Sequence, residues 1–273
     1  MFQKLILSVI VLSIIGNAAK ENIQSKPNLI EQFEKNIQTN VDSPSEVVRK
    51  FYQNLREGKF RQAWMMTNLK PAIEQMTDAE LSEFKEDFEI VANKIPETLQ
   101  ITGEIITENS ATVTIKVFDE DTNSLEDRVL KLRKEKDSWV ILIVDEAAES
   151  FVRQEGKNYL YQLKIETHES EAQAMLQRIV KAQAVYALQN SGQFADLKTL
   201  VQIGLLPDDI LDTKSTGYKY KVVLSSDKKR YYASAEPAIY GKTGKLSFLL
   251  ECEGINKETK LQSKDNKGKP IKD

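Results

Sequence analysis

Cysteine and histidine each occur once in the 273 residues, as Cys252 and His168. A lone thiol excludes an internal disulfide framework and every zinc site built on cysteine pairs. A lone imidazole excludes sites that need two, so no metal ligands and no cofactor are assigned. An excess of charge is lacking as well. The 38 Lys and Arg stand against 41 Asp and Glu, a net of −3, too little positive charge for a nucleic-acid binder that neutralises phosphates. Outside one stretch at the amino terminus, no apolar run approaches the roughly 20 residues a membrane-crossing helix needs. What is present is length, enough for one large domain or two of ordinary size, each burying its own core.

The amino-terminal stretch reads as an export signal. Lys4 precedes an apolar run from Leu5 to Ile15, and Gly16-Asn17-Ala18-Ala19 follows it. A basic start, a short greasy core and small residues at its end mark a secretory signal peptide over residues 1–19, cleaved after Ala18 or Ala19. The alternative is an uncleaved anchor, which the short run disfavours. No cysteine follows the run, which closes the bacterial lipoprotein route. The mature protein is therefore expected in the periplasm or secreted, with no stable membrane span. Residues 20–42 are polar and read as a flexible leader.

Residues 43–145 form the first expected unit. Ser43-Pro44-Ser45-Glu46 supplies a cap, a first-turn proline and a first-turn acid. Val47, Val48, Phe51, Tyr52 and Leu55 then recur at helical spacing, and Glu57-Gly58 ends the helix. A second short helix carries Phe60, Ala63 and Trp64. A third runs from Thr77-Asp78 through Leu81, Phe84, Phe88 and Val91. Beyond Pro96 the period changes to two, marking strands at 99–105, 113–117, 130–132 and 139–143 joined by short breaks. Short breaks favour an antiparallel meander, and helices followed by a curved meander give an α+β packing.

The run from Ser43 to Trp64 resembles the opening of the nuclear transport factor two-like superfamily, the cystatin-like cone. Its marks are the proline-capped helix, the Gly-aromatic turn and a helix carrying Ala63 and Trp64. That resemblance implies a fold and leaves function open, because the fold hosts isomerases, dehydratases and plain binding modules. The unit has no His, and no catalytic position of the family is matched, so no catalytic residue is named. Tyr52, Trp64, Phe118 and Trp139 are candidates to line a cone cavity, against the alternative that they fill the core. In the last strand Trp139, Ile141 and Ile143 alternate with Val140, Leu142 and Val144, so both faces are apolar. Val140, Leu142 and Val144 are therefore expected to meet the second domain, another subunit or a protein partner.

Residues 146–168 read as a linker, with Tyr159 to Ile165 open to either a strand or a helix. Residues 169–257 form the second unit. Its helix carries Ala172, Met175, Leu176, Ile179, Val180, Gln183, Tyr186 and Ala187 on one face and stops at Ser191-Gly192. Three strands follow, at 218–224, 231–235 and 246–250. Ala182-Gln183-Ala184-Val185-Tyr186, Ala235-Glu236-Pro237 and Gly241-Lys242-Thr243-Gly244-Lys245-Leu246-Ser247-Phe248 make this half resemble type IV pilin-like and pseudopilin globular domains. The resemblance implies a helix on an antiparallel meander. The family's processing site, its long apolar half-helix and its terminal disulfide loop are all missing, which leaves a soluble interaction module.

Several motifs dissolve on inspection. Gly241-Lys242-Thr243 imitates the end of a phosphate-binding loop, but position 236 is Glu and strands flank it. Asp208, Asp209 and Asp212 lack the spacing of a calcium loop and read as a solvated acidic loop. His168 reads as a surface imidazole and Cys252 as a buried small side chain. The lysine-rich residues 258–273 are expected to be disordered. The composite reading is an exported, non-enzymatic binding or adaptor protein of the bacterial cell envelope, acting through protein contacts or self-association. Two alternatives stand beside it: a cone-domain enzyme or carrier for a small apolar ligand, and an accessory component of a type IV pilus or type II secretion machine.

Overall fold

The computed structural model describes residues 43–119, 123–136, 138–255 and 257–272; the expected signal peptide and leader lie outside the described residues. The fold is α+β with two antiparallel four-stranded sheets, and the chain divides into compact units between Tyr159 and Leu160.

In the first unit, α1 (Pro44–Arg56) starts where the sequence places it, with the Ser43 hydroxyl accepting from the Glu46 amide. The next free amide of that turn, Ser45, donates to the Glu104 carboxylate of the sheet at 3.0 Å. Four short helices follow: α2 (Phe60–Trp64), α3 (Lys70–Ile73), α4 (Asp78–Ser82) and α5 (Lys85–Ala92). The continuous helix expected from Thr77 to Val91 is thus broken in two. At the break Glu83 and Phe84 donate to carbonyls three residues back, a tightened turn that ends α4. Strands β1 (Gln100–Ile106), β2 (Ser110–Asp119), β3 (Ser124–Glu135) and β4 (Ser138–Ile141) pair in sequence order. Ala111, Val113, Ile115, Leu130, Leu132 and Ile141 point inward against the helices and are buried.

Residues 146–168, read as a linker, belong to structured elements instead. Helix α6 (Glu146–Glu155) buries Val152 completely. Its Glu149 is tied into the first unit by a polar network. The Asn68 amide oxygen accepts from the backbone of Ile143 (2.9 Å) and Val144 (3.3 Å), while its nitrogen donates to the Val144 carbonyl (2.8 Å) and to Glu149 (3.4 Å). Arg133 meets both oxygens of Glu149 at 2.9 and 3.1 Å, and Arg153 adds a third contact at 2.6 Å. The Arg133 guanidinium holds the Glu149 carboxyl down at about 2. One buried amide therefore satisfies three backbone groups where the chain leaves the sheet.

The second unit opens on α7 (Tyr159–Gln189), so the undecided stretch from Tyr159 to Ile165 is helix. The helix ends in a left-handed Ser191, and Gly192 donates back to the Ala187 carbonyl at 2.9 Å. Two short helices, α8 (Leu197–Gln202) and α9 (Thr213–Thr216), precede strands β5 (Tyr218–Leu224), β6 (Tyr231–Pro237), β7 (Leu246–Cys252) and β8 (Lys260–Asp265). The expected three-stranded meander thus gains a fourth strand, and the expected disorder of residues 258–273 is corrected. Backbone pairing of β8 with β7 needs no apolar side chains, so composition alone hides such a strand.

Met175, Leu176 and Ile179 of α7 pack with Tyr218, Ala233, Ala235, Phe248 and Leu250 of the sheet in one core. Gln183, fully buried, clamps the Ala195 backbone from both sides: its amide nitrogen donates to the carbonyl (2.6 Å) and its oxygen accepts from the N–H (2.9 Å). Glu169 accepts from the amides of Lys245 and Leu246 at 2.8 and 3.0 Å and thereby seats the β6–β7 hairpin on the helix. Gly244 is required there, because a Cβ would lie 2.1 Å from the Tyr218 hydroxyl.

Replacing Asn68 by Ala strands two buried N–H groups and a carbonyl, and is expected to cost about 3 kcal/mol of the first unit's stability. Urea denaturation read at the two tryptophans, both in that unit, measures it. A loss below about 1 kcal/mol is incompatible with the network described.

Candidate interaction surfaces

The interior of the first unit is built from rings. Phe51 contacts Tyr52 and Trp64 edge-on at 5.2 and 5.8 Å between centroids, and Phe88 lies 5.3 Å from both Trp64 and Phe60. Of the four residues proposed from sequence to line a cavity, Tyr52 and Trp64 belong to this packed cluster. Their polar tips, the Tyr52 hydroxyl and the Trp64 indole N–H, are buried with no hydrogen-bond partner. Burial also pushes the Tyr52 phenol above the usual tyrosine range.

Phe118 does not join them. On β2 the odd positions 111, 113 and 115 point inward, so alternation turns Phe118 to the opposite face, where it is exposed. Trp139 is half-buried in the β3–β4 pairing, opposite Lys134, whose ammonium sits 5.9 Å from the ring centroid. The four residues are therefore not one site.

The outward face of this sheet carries the surface that the sequence reading did not single out. Phe118 and Leu125 are cross-strand partners, Val129 lies opposite Thr114, and Ile105 lies opposite Thr112. Phe118, Leu125, Val129 and Ile105 are each more than half exposed. Between the Phe118–Leu125 pair and Val129 runs one charged pair, Lys116 to Asp127 at 3.1 Å. The result is a mixed face on which these exposed apolar residues lie among Thr112, Thr114, Lys131 and the ion pair. The signal was available in the register: once Val113 and Leu130 are inward, every second residue faces out.

The three residues proposed as an interface behave unequally. Val144 is buried beside the Asn68 clamp, whereas Val140 and Leu142 are half-buried. The apolar character of the last strand is thus partly consumed at the turn into α6, and the larger exposed surface lies on β1 to β3.

The remaining sequence candidates fall into place as structure. Gly241-Lys242-Thr243 is a hairpin turn, with the Gly241 amide donating to the Gly244 carbonyl at 2.8 Å. Cys252 is buried, its thiol directed at the Gly254 carbonyl. Asp208 and Asp209 open a short 3-10 turn and Asp212 follows it; among the described residues no group of three or more His, Cys, Asp or Glu could hold a metal ion. No helix among the described residues is long and apolar enough to cross a membrane.

His168 corrects the surface reading: it is buried, with Nδ1 bonded to the Thr243 carbonyl at 3.1 Å, and so carries its proton there. Gly217 lies against the ring at φ +70°, where a Cβ would fall 2.2 Å from Nδ1. Burial, aided by the charge of Lys164, lowers the imidazole to about 4.

No family model matches the sequence, and no curated protein matches it. Among solved structures, a Campylobacter jejuni protein provisionally named an NTF2-like transpeptidase is similar at 17% identity, over 37% of this chain and 97% of its own, with a TM-score of 0.27. A likeness at that level carries no argument about fold or chemistry here.

His168 yields a prediction with a defined sign. The unfolded chain binds the proton near 6.5 and the folded one near 4. Stability of the second unit is therefore complete above the unfolded value and falls, by on the order of 3 kcal/mol, as pH drops from 6.5 to 4. Because the chain has one imidazole, a single pair of ring resonances reports it. A midpoint near 6.5 in the native spectrum would contradict the burial described.

Proposed function

We propose that this chain is an exported, non-enzymatic binding protein whose first unit docks a protein partner on the outward face of its sheet. The observation that carries the reading is the exposed apolar set of Ile105, Phe118, Leu125 and Val129 on that one face. Apolar side chains grouped on one sheet face, divided by an ion pair, suit a partner that supplies apolar contacts and a polar register mark. The ring-filled interior accords with the same reading, since Phe51 and Phe88 both pack on Trp64 there. Export rests on residues 1–19 as read from the sequence. A role in an envelope assembly accords with the pilin-like motifs of the second unit.

A second reading is favoured by one specific observation. The buried Tyr52 hydroxyl and Trp64 N–H lack hydrogen-bond partners, and a small molecule with one polar end that entered by displacing neighbouring side chains would satisfy them. Titrating Trp fluorescence with small amphiphiles separates the two. Saturable quenching lost in Tyr52→Phe supports the carrier.

The docking reading is tested by Phe118→Glu and Leu125→Glu. Both sites are exposed, so thermal stability is expected to stay within about 0.5 kcal/mol of the parent. Partners captured by crosslinking in an envelope extract, and any self-association seen by sedimentation, are expected to fall at least tenfold. Unchanged capture and sedimentation would overturn the reading.

A further inference from the structure

The face of the second sheet that points away from α7 is made by Tyr232, Ser234 and Glu236 of β6 and Ser247, Leu249 and Glu251 of β7. Their neighbours Tyr231, Ala233, Ala235, Phe248 and Leu250 belong to the core on the other side. In a two-layer unit such a face is normally solvated. Here Ser247 is 0% exposed and Glu236 8%, while Ser234 and Leu249 are buried as well.

The segment after β8 returns across this face. Gly268 packs at one end of it, where a Cβ would lie 3.2 Å from Cβ of Tyr240 and 3.9 Å from Pro237. Lys272 reaches the other end: its ammonium bonds Glu251 at 2.7 Å and sits 5.1 Å from the Tyr232 ring centroid. From Pro237 back to Tyr232 is five strand residues, about 17 Å. From Gly268 to Lys272 is four residues, about 14 Å fully extended, with a lysine arm to spare. The segment therefore crosses the face after a reverse turn at Asn266–Lys269, in which Lys267 and Gly268 are left-handed and the Lys269 amide donates to the Asn266 carbonyl at 3.1 Å.

Its start is fixed by side chains as well. Lys267 bonds the Tyr240 hydroxyl at 2.9 Å, and the Asn266 amide donates to the carbonyls of Lys269 (3.3 Å) and Pro270 (2.6 Å). At the Lys272 end the face opens into a cleft of about 210 Å³ whose walls include Val223, Tyr232, Glu251 and Glu253. Beneath the segment, Glu236 Oε1 and Ser247 Oγ are buried with no partner. They lie one step beyond the last β6–β7 pair, Ala235 with Phe248, where Glu236 is the partner of Lys219 on β5 and Ser247 of Lys264 on β8.

We propose that this face is a peptide-binding groove, occupied in cis by residues 266–272, whose ligand class is a lysine-bearing segment that opens on a tight turn and carries Gly-x-Pro spacing. Two features distinguish a groove from a passive tail. Each end offers a lysine an aromatic ring and a carboxylate: Tyr232 and Glu251 of β6 and β7 for Lys272, and Tyr240 with Asp265, two residues back at the start of the turn, for Lys267. The floor keeps an acceptor and a hydroxyl that the cis occupant leaves unused, and another segment of the class satisfies them with one added donor. The cis segment then sets the threshold for exchange, since a peptide in trans must displace it.

The test uses the full chain and a labelled peptide of residues 266–272, Asn-Lys-Gly-Lys-Pro-Ile-Lys. Lys272→Glu places like charges at the Glu251 end. Tryptic cleavage after Lys267, followed by mass spectrometry, is expected to become at least tenfold faster. The peptide is expected to bind this variant at least tenfold more tightly than the parent. A control peptide with glutamate at both terminal lysine positions is expected not to bind. Adding Glu251→Gln to the loosened chain should abolish binding while the far-ultraviolet spectrum stays unchanged. Cleavage at the parent rate, or faster cleavage without peptide binding, would overturn the proposal, as would equal binding of the control peptide.

Discussion

Each unit closes on one buried amide side chain, and the packing around it follows from that constraint. A chain that turns inside a protein leaves backbone N–H and C=O groups away from water, and each must be paired. Asn68 pairs three of them where the first sheet hands over to α6, and Gln183 pairs two where the loop after α7 folds back. An amide is the right tool because it donates and accepts in one plane without bringing a charge into the core. The first network does bury one carboxylate, Glu149, and answers it with Arg133 and Arg153, which reach it from the more exposed side.

The two sheets solve the problem of their second face differently. The first presents Phe118, Leu125, Val129 and Ile105 outward, while the second has a segment of its own chain along the face opposite its helix. Both faces are read here as sites for other chains, one open and one held shut. The physical difference is where binding energy comes from: apolar area in the first, cation–aromatic and carboxylate contacts to lysines in the second.

Much of this was legible in the residues. Ser43-Pro44 and Ser191-Gly192 mark helix ends whose backbone geometry is local, and the period-two runs mark strands because side-chain alternation is local too. The candidate sites were harder to read. Tyr52 and Trp64 recur with helical core residues and pack as such, but nothing local tells that their polar tips find no partner. Phe118 was assigned inward although its strand's alternation points it out, so that signal was present and unused. Asn68, Glu149 and Arg133 had no signal, because they are 65 to 81 residues apart or on different elements and meet only when the sheet closes on α6. His168 looked like a surface imidazole because nothing near it in the chain predicts that Gly217 and Thr243 will wall it in.

The residues alone determined the α+β class, the helix caps, the order of the strands and the lack of any cysteine- or histidine-pair chemistry, since each of these depends on spacing or count. Tertiary structure alone decided which apolar residues remain outside, which polar ones are trapped inside, and that a lysine-rich end is ordered. The reason is that β8 is held by backbone pairing and the segment after it by clamps drawn from distant strands. Neither leaves a pattern in local composition, so both come into being only when the partner strands are already in place.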